Sequence, residues 1–293
     1  MRYIPLSNSV YKRNRRNFMD EMKGNSLAVF NSNDIYPISA DSELPFEQHR
    51  DIFHLTGIDQ EETILILYPA SKNYKTREIL FIRKSDNHTK VWEGEKLSKK
   101  QANELSGINN ICYIEDFKDI LSSIATKVDT FYINKNEHYR ANSPVETRED
   151  RFISWLLKKY PAHNVAKSNP ILQRQRSLKH PNEIDQIKRA CEITGKGFNR
   201  VLKFIKPNIW EYEIEAEFIH EFINNSSKGF AYSPIIASGN DNNVLHYIKN
   251  NKQCKSGELI LMDVGAEYGN YSSDMTRTVP AVSYTHLTLP TRC

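Results

Sequence analysis

The chain has 293 residues, of which 39% are apolar and 26% charged, and these values are typical of a globular protein with ordinary cores. Its net charge of +4 does not favour a nucleic-acid-binding role, and no apolar run is long enough to predict a membrane span. The N-terminus lacks the apolar segment of a secretory signal, and the cysteines show no paired spacing. The sequence therefore predicts a protein of the reducing cytoplasm.

The first part of the chain alternates short apolar segments with helical patterns. The apolar segments predict β-strands at 27–30, 63–68, 78–82 and 130–133. Strands that alternate with helices are typical of an α/β domain, which we assign to residues 1–165. Residues 161–177 contain Pro161, Pro170 and several polar residues, so they predict the boundary with a second domain over 166–282.

The second domain begins with two predicted helices. Pro181 suits a first helical turn, and the apolar positions from Ile184 to Ile205 have the spacing of a core-facing helix. A second helix is predicted over 211–224, and we interpret its acidic side chains as solvated rather than metal-binding. These side chains are Glu211, Glu213, Glu215, Glu217 and Glu221.

A polar loop follows the helices and leads to a single histidine. The run at 239–243, Gly-Asn-Asp-Asn-Asn, predicts a loop that places His246 beside an apolar strand. A lone histidine in such a place is more often structural than catalytic. Its neutral imidazole could also move a proton or polarise a carbonyl group, so both interpretations stay open at this point.

Two aspartates, Asp263 and Asp274, flank a predicted β-hairpin. Asp263 follows four apolar residues, and the turn-like residues 267–270 lie between the two acids. Symmetric spacing about Tyr268 and Gly269 predicts that the aspartates oppose each other directly, with Cβ atoms about 5 Å apart. Two carboxylates that close repel unless a cation lies between them, and oxygen ligands favour Mn²⁺, Mg²⁺ or Ca²⁺. Two solvated acids beside a turn are the alternative.

Several ordered segments together resemble one known family. The segments 231–239, 245–247, 262–267 and 273–278 occur at spacings similar to those of the creatinase/methionine-aminopeptidase (pita-bread) superfamily, and most closely to Xaa-Pro aminopeptidases (aminopeptidase P). Residues 45–57 are similar to the N-terminal domain of that family. The resemblance implies an α/β domain of the creatinase/aminopeptidase P N-terminal type, followed by an α+β pita-bread catalytic domain.

The resemblance also implies an activity and roles for individual residues. Asp263 would be a ligand of the first metal and Asp274 would bridge two metals, usually Mn²⁺. His246 would be the substrate-side histidine, and Thr276 would hold Asp274 in its orientation. Members of the family release the N-terminal residue from peptides with proline in the second position, and they are homo-oligomers. Two alternatives remain, a prolidase (Xaa-Pro dipeptidase) and a non-catalytic pita-bread binding module.

The chain departs from the family pattern near its C-terminus. The remaining metal ligands of the family, one histidine and two glutamates, lie downstream of the aspartate hairpin. Here residues 283–293 do not continue the pattern, and we interpret them as a non-native tail whose His286 is not a ligand. The sequence therefore predicts a C-terminally truncated chain that contains the first half of a pita-bread domain and has no activity alone.

Overall fold

The computed structural model describes residues 2–135 and 144–281 of the chain. The chain divides into two compact units, an N-terminal unit of Pro5–Lys179 and a C-terminal unit of Met1–Ile4 with His180–Cys293. In the described part of the chain, no helix has the length and apolar character needed to cross a membrane. The predicted tail at 283–293, with His286, lies outside the described residues.

The N-terminal unit is built on one mixed sheet. Its strands are β1 (Ser26–Asn31), β4 (Ile64–Leu67), β5 (Glu78–Ile82), β6 (Ile111–Tyr113), β7 (Thr130–Ile133) and β8 (Asn164–Lys167), while β2 (Pro37–Ser39) and β3 (Ser42–Glu43) form a separate hairpin. The sheet order is β6-β5-β4-β1-β7-β8. Strand β1 runs parallel to β7 and antiparallel to β4. This sheet confirms the predicted strands.

Helices cover both faces of this sheet. They are α1 (Asn8–Glu21), α2 (Arg50–Thr56), α3 (Asn87–Trp92), α4 (Lys99–Ser106), α5 (Phe117–Ala125), α6 (Arg148–Lys159) and α7 (Asn169–Ser177). Alternate residues of β1 enter different cores, with Phe30 packed beside Phe18 of α1 and Val29 in the cluster that contains Phe117 of α5. Every residue of β1 is therefore buried, as expected for a strand covered on both sides. The α/β class predicted for this unit is confirmed.

The N-terminal unit extends beyond the boundary at residue 165 that the sequence predicts. Strand β8 pairs in parallel with β7, and α7 buries Ile171 and Leu172 in the core. Arg176 of α7 also forms an ion pair with Asp51 of α2, with an N–O distance of 2.6 Å. Pro170 does not mark a linker, because it lies in the first turn of α7, where proline is well tolerated.

This boundary can be tested with two fragments. Residues 5–165 should be less stable than residues 5–179 by about 3–6 kcal/mol, because the shorter fragment lacks the buried side chains of Ile171 and Leu172. Urea denaturation followed by circular dichroism measures the difference. Equal midpoints for the two fragments would contradict the placement of α7 in this unit.

The C-terminal unit packs two long helices against two small sheets. The helices are α8 (Pro181–Phe204) and α9 (Glu211–Asn224), and the strands are β9 (Gly229–Phe230), β10 (Ile235–Ser238), β11 (Leu259–Val264), β12 (Ala266–Tyr268), β13 (Tyr271–Ser272) and β14 (Met275–Pro280). The sheets have the orders β10-β11-β14 and β13-β12-β9. This is the predicted order of helix, helix, strand, loop, strand and hairpin.

The main core of the C-terminal unit lies on one face of the β10-β11-β14 sheet. Ile260, Met262 and Val264 of β11 are fully buried in the cluster that contains Phe198 of α8 and Phe218 of α9. Because side chains alternate along a strand, Asp263 lies on the opposite face. Helices α8 and α9 therefore pack on one face of the sheet, and Asp263 lies on the other, which we call the aspartate face.

Candidate metal centre

The hairpin that carries the aspartates has a different register from the one predicted. Asp263 pairs with Thr276, and Tyr268 pairs with Tyr271. The turn is centred on Gly269 and Asn270, whose φ angles of 60° and 68° are both in the left-handed region. Such a pair is the signature of a type I′ turn, which glycine and asparagine adopt most readily. The prediction that Asp263 and Asp274 are directly opposed is therefore wrong by two residues.

The two aspartates nevertheless share one face and lie close together. Asp274 precedes Thr276 by two residues, so it is the diagonal neighbour of Asp263 across the ladder. The hydroxyl oxygen of Tyr232 lies 2.8 Å from Oδ1 of Asp263 and 3.1 Å from Oδ1 of Asp274. Asp263 is half-buried and Asp274 is exposed. The two carboxylates therefore converge on one hydroxyl group at the edge of the unit.

Tyr232 is a site residue to which the sequence analysis gave no role. Its hydroxyl has one hydrogen, so it donates to only one of the two carboxylates at a time. Burial, and then the two neighbouring carboxylates, raise the pKa of Tyr232 well above its ordinary value. The side chain is therefore a neutral donor that orients both acids. The only signal for it in the sequence was its place in the segment 231–239.

A glycine permits this arrangement at the break between β11 and β12. A Cβ atom on Gly265 would lie 1.9 Å from the carbonyl oxygen of Ser273 and 3.1 Å from Cε1 of Tyr232. The break is held from α8, because the hydroxyls of Thr194 and Ser273 are 2.7 Å apart and both accept from the N–H of Ala266. Ser273 precedes Asp274, so these bonds also fix the backbone beside the second carboxylate.

The variant Gly265→Ala should destabilise the C-terminal unit by about 1–3 kcal/mol, because the added methyl group must displace the backbone of Ser273. Urea denaturation measures this loss. The matched control is Gly195→Ala in α8, where an added Cβ meets no atom within 4 Å and should stabilise the helix by up to about 1 kcal/mol. Similar effects of the two variants would contradict the close approach at Gly265.

His246 lies in an exposed turn and not in a core. The next residue, Tyr247, is buried against Ile235 and Ala237 of β10, and Ile235 pairs with Asp263. The chain that carries His246 is thus held on the aspartate face through Tyr247. Within residues 2–135 and 144–281, no hydrogen bond or ion pair joins His246 to either aspartate.

One of the glutamates interpreted as solvated is buried. Glu211 is fully buried at the start of α9, where its carboxylate accepts hydrogen bonds from Ser238, Tyr247 and Lys252. Burial and the bond to Glu211 raise the pKa of Tyr247, which keeps its hydroxyl a donor. The prediction is wrong for Glu211 because four donors compensate for the lost hydration of its charge.

The donor set of the hairpin fits part of a site for a divalent cation. Carboxylate oxygens suit Mn²⁺ and Mg²⁺, and Asp263 and Asp274 present theirs on one accessible face. Thr276 is exposed on that same face, opposite Asp263. In the part of the chain that the structure describes, no group of three or more His, Cys, Asp or Glu residues could hold a metal ion. The two aspartates therefore supply only some of the ligands such a centre needs.

Two known protein families match this chain, and one of the matches includes the aspartate hairpin. The aminopeptidase P N-terminal domain matches residues 11–132, and metallopeptidase family M24 matches residues 185–287. The chain therefore combines an aminopeptidase P N-terminal domain with part of an M24 metallopeptidase domain. The M24 match includes the whole aspartate hairpin, and its last residues overlap the predicted tail at 283–293. The fold class predicted from the sequence is confirmed.

Individual aminopeptidase P proteins resemble the chain over most of its length. It is 28% identical to the Xaa-Pro aminopeptidase of Escherichia coli K12 and covers 62% of that protein with 94% of its own residues. It is 28% identical to human Xaa-Pro aminopeptidase 3, in a match that covers 85% of this chain and 49% of that protein.

Solved aminopeptidase P structures have the same fold. An E. coli aminopeptidase P variant in complex with substrate superposes with a TM-score of 0.84 at 28% identity, over 95% of this chain and 63% of that one. An aminopeptidase from Pseudomonas aeruginosa gives a TM-score of 0.83 at 28% identity, with the same coverage. The chain spans less than two thirds of the length of each of these aminopeptidases.

Proposed function

We propose that the protein is a metal-dependent aminopeptidase that releases the N-terminal residue from peptides with proline in the second position. The observation that carries this proposal is the convergence of Asp263 and Asp274 on the Tyr232 hydroxyl. The names of its relatives support the substrate class, since they are Xaa-Pro aminopeptidases. We further propose that residues 1–293 alone are inactive, because the described residues contain too few metal ligands.

In this proposal Asp263 and Asp274 hold two divalent cations, which we take to be Mn²⁺. When bound, such cations polarise the scissile carbonyl and activate water. Tyr232 donates its one hydrogen bond to either carboxylate in turn and so orients the pair. Thr276 supports the orientation of Asp274 from the same strand. His246 moves a proton or donates to the carbonyl of the substrate, since it stands exposed beside the aspartate face.

The partners and location of the protein are part of the same proposal. We expect peptide substrates, no nucleic acid or membrane partner, and a homo-oligomer in the full-length form. Cys112, Cys191 and Cys254 are free thiols, which supports a reducing, cytoplasmic location. The match of residues 11–132 to the aminopeptidase P N-terminal domain favours an aminopeptidase over a prolidase. The paired carboxylates favour an enzyme over a binding module.

The test uses a completed protein, in which residues 1–281 continue into the remainder of the M24 domain of the E. coli relative. With Mn²⁺ it should release alanine from an Ala-Pro-Ala peptide, and a chelator should abolish this release. Asp263→Ala should remove both metal and activity, whereas Asp185→Asn, an exposed acid on α8, should change neither. Cleavage of the Ala-Pro dipeptide alone would indicate a prolidase, and cleavage of neither peptide would indicate a binding module.

A further inference from the structure

The carboxylate of Glu211 is fully buried and accepts four hydrogen bonds. Its Oε1 accepts from the backbone N–H and the hydroxyl of Ser238, both at 2.8 Å. Its Oε2 accepts from the hydroxyl of Tyr247 at 2.8 Å and from the backbone N–H of Lys252 at 2.9 Å. These bonds fill the acceptor positions of the carboxylate. The N-terminus of α9 further stabilises its negative charge.

The four donors come from three points of one segment. Ser238 ends β10, and Tyr247 and Lys252 both lie in the connection between β10 and β11. The backbone N–H of Glu211 also donates to the carbonyl oxygen of Lys252 at 2.9 Å. One residue of α9 therefore ties together both ends and the centre of residues 238–252. The middle of this segment carries His246.

The bond to Tyr247 links Glu211 to the aspartate face. The ring of Tyr247 packs on Ile235, whose strand partner is Asp263, and the hydroxyl of the same ring points to Glu211. Fixing this ring between the sheet and α9 also fixes the residue before it in the chain. His246 is that residue, and its own side chain is exposed. The position of His246 thus depends on a carboxylate that it does not touch.

We propose that Glu211 is the positioning residue for His246 and acts through Tyr247. The proposal rests on the proposed function only for the catalytic role of His246. The substitution Glu211→Gln tests this proposal, because the side-chain NH₂ group replaces one acceptor oxygen with a donor of two hydrogens. Each side of the carboxylate faces a backbone N–H, from Ser238 or from Lys252, so neither orientation of the amide avoids a donor–donor contact.

The first experiment is hydrogen–deuterium exchange on the 293-residue chain at low micromolar concentration, and it requires no activity. Glu211→Gln should speed exchange in residues 238–252 by about tenfold or more, while residues 259–264 keep their protection. The matched control is Glu213→Gln, which removes the same charge in the same turn and leaves an amide oxygen to accept the exposed bond from the N–H of Trp210. That control should leave residues 238–252 protected.

The second experiment measures kinetics in the completed protein. Glu211→Gln should lower kcat by about 10²-fold, with KM and bound Mn²⁺ changed by less than about twofold. Tyr247→Phe should give a smaller loss of the same kind, and Glu213→Gln should match the wild type. If the wild-type completed protein is inactive, the proposed function fails, and the exchange experiment still decides the role of Glu211.

Three results would overturn the proposal. They are unchanged exchange in Glu211→Gln, loss of protection throughout residues 259–264, and equal effects of the substitutions at Glu211 and Glu213. The first means that the carboxylate does not hold the loop. The second means that Glu211 stabilises the whole unit, and the third assigns the effect to the charge at the start of α9.

Discussion

Purified residues 1–293 are expected to release no N-terminal residue from an Ala-Pro-Ala peptide, even with Mn²⁺ in excess. The affinity of a metal site depends on its number of preorganised ligands, and Asp263 and Asp274 leave most coordination positions to water. Chromatography of the products measures release, and calorimetry with Mn²⁺ should show only weak binding. Extension to the completed protein should restore both. If the 293-residue chain released alanine in the presence of Mn²⁺ and not in its absence, the chain would contain metal ligands other than those we assign.

The same chain should also be poorly soluble. Val244, Leu245 and Ile248 of the His246 loop are 51%, 89% and 61% exposed, and Leu259 of β11 is 51% exposed. Large exposed apolar patches promote association. Light scattering should therefore detect aggregates, and Leu245→Ser combined with Ile248→Ser should reduce them. A monodisperse wild-type chain at high concentration would contradict this expectation.

In the completed protein, His246→Ala should lower kcat by about 10²–10⁴-fold, with bound Mn²⁺ unchanged. His246 is exposed and directly precedes Tyr247, which packs on the aspartate face, so we expect its imidazole to reach a substrate without binding the metal. Steady-state kinetics and metal analysis of the same samples separate the two effects. The control His220→Ala removes an exposed histidine of α9 and should leave kcat unchanged.

Two outcomes would contradict the role assigned to His246. Full activity in His246→Ala would show that the side chain takes no part in the reaction. Loss of Mn²⁺ together with activity would show that His246 binds the metal. The control at His220 excludes a general effect of removing a histidine from this unit.

The shared face of Asp263 and Asp274 could be predicted from the sequence, but their pairing could not. Side chains alternate with a period of two, so an error of two residues in register leaves both acids on the correct face. The exact pairing depends on which two residues form the centre of the turn. The spacing predicts Tyr268 and Gly269, whereas the structure has Gly269 and Asn270. The left-handed φ angles at Gly269 and Asn270 fix the centre of the turn. The residue types at 267–270 predict a turn but do not show which two residues adopt these angles.

The errors at Glu211 and at the domain boundary have a common cause. A glutamate in the first turn of a helix is usually solvated, and only partners distant in sequence, such as Ser238 and Lys252, make its burial favourable. The stretch 161–177 likewise resembles a linker until β8 pairs with β7 and α7 packs its apolar side chains. The sequence near a residue does not show which distant residues contact it in the folded chain.

The hairpin geometry limits the changes of length that this chain can accept between its two acids. Asp263 and Asp274 stand on the two limbs of one ladder, and the next residue on either limb points to the opposite face. Deletion of a single residue from one limb would therefore turn one carboxylate toward the helices, where its charge would be costly. Changes of length between the two acids are tolerated only in even steps or as paired changes in both limbs. The hairpin should therefore tolerate substitution of the residues between the two acids better than insertion or deletion among them.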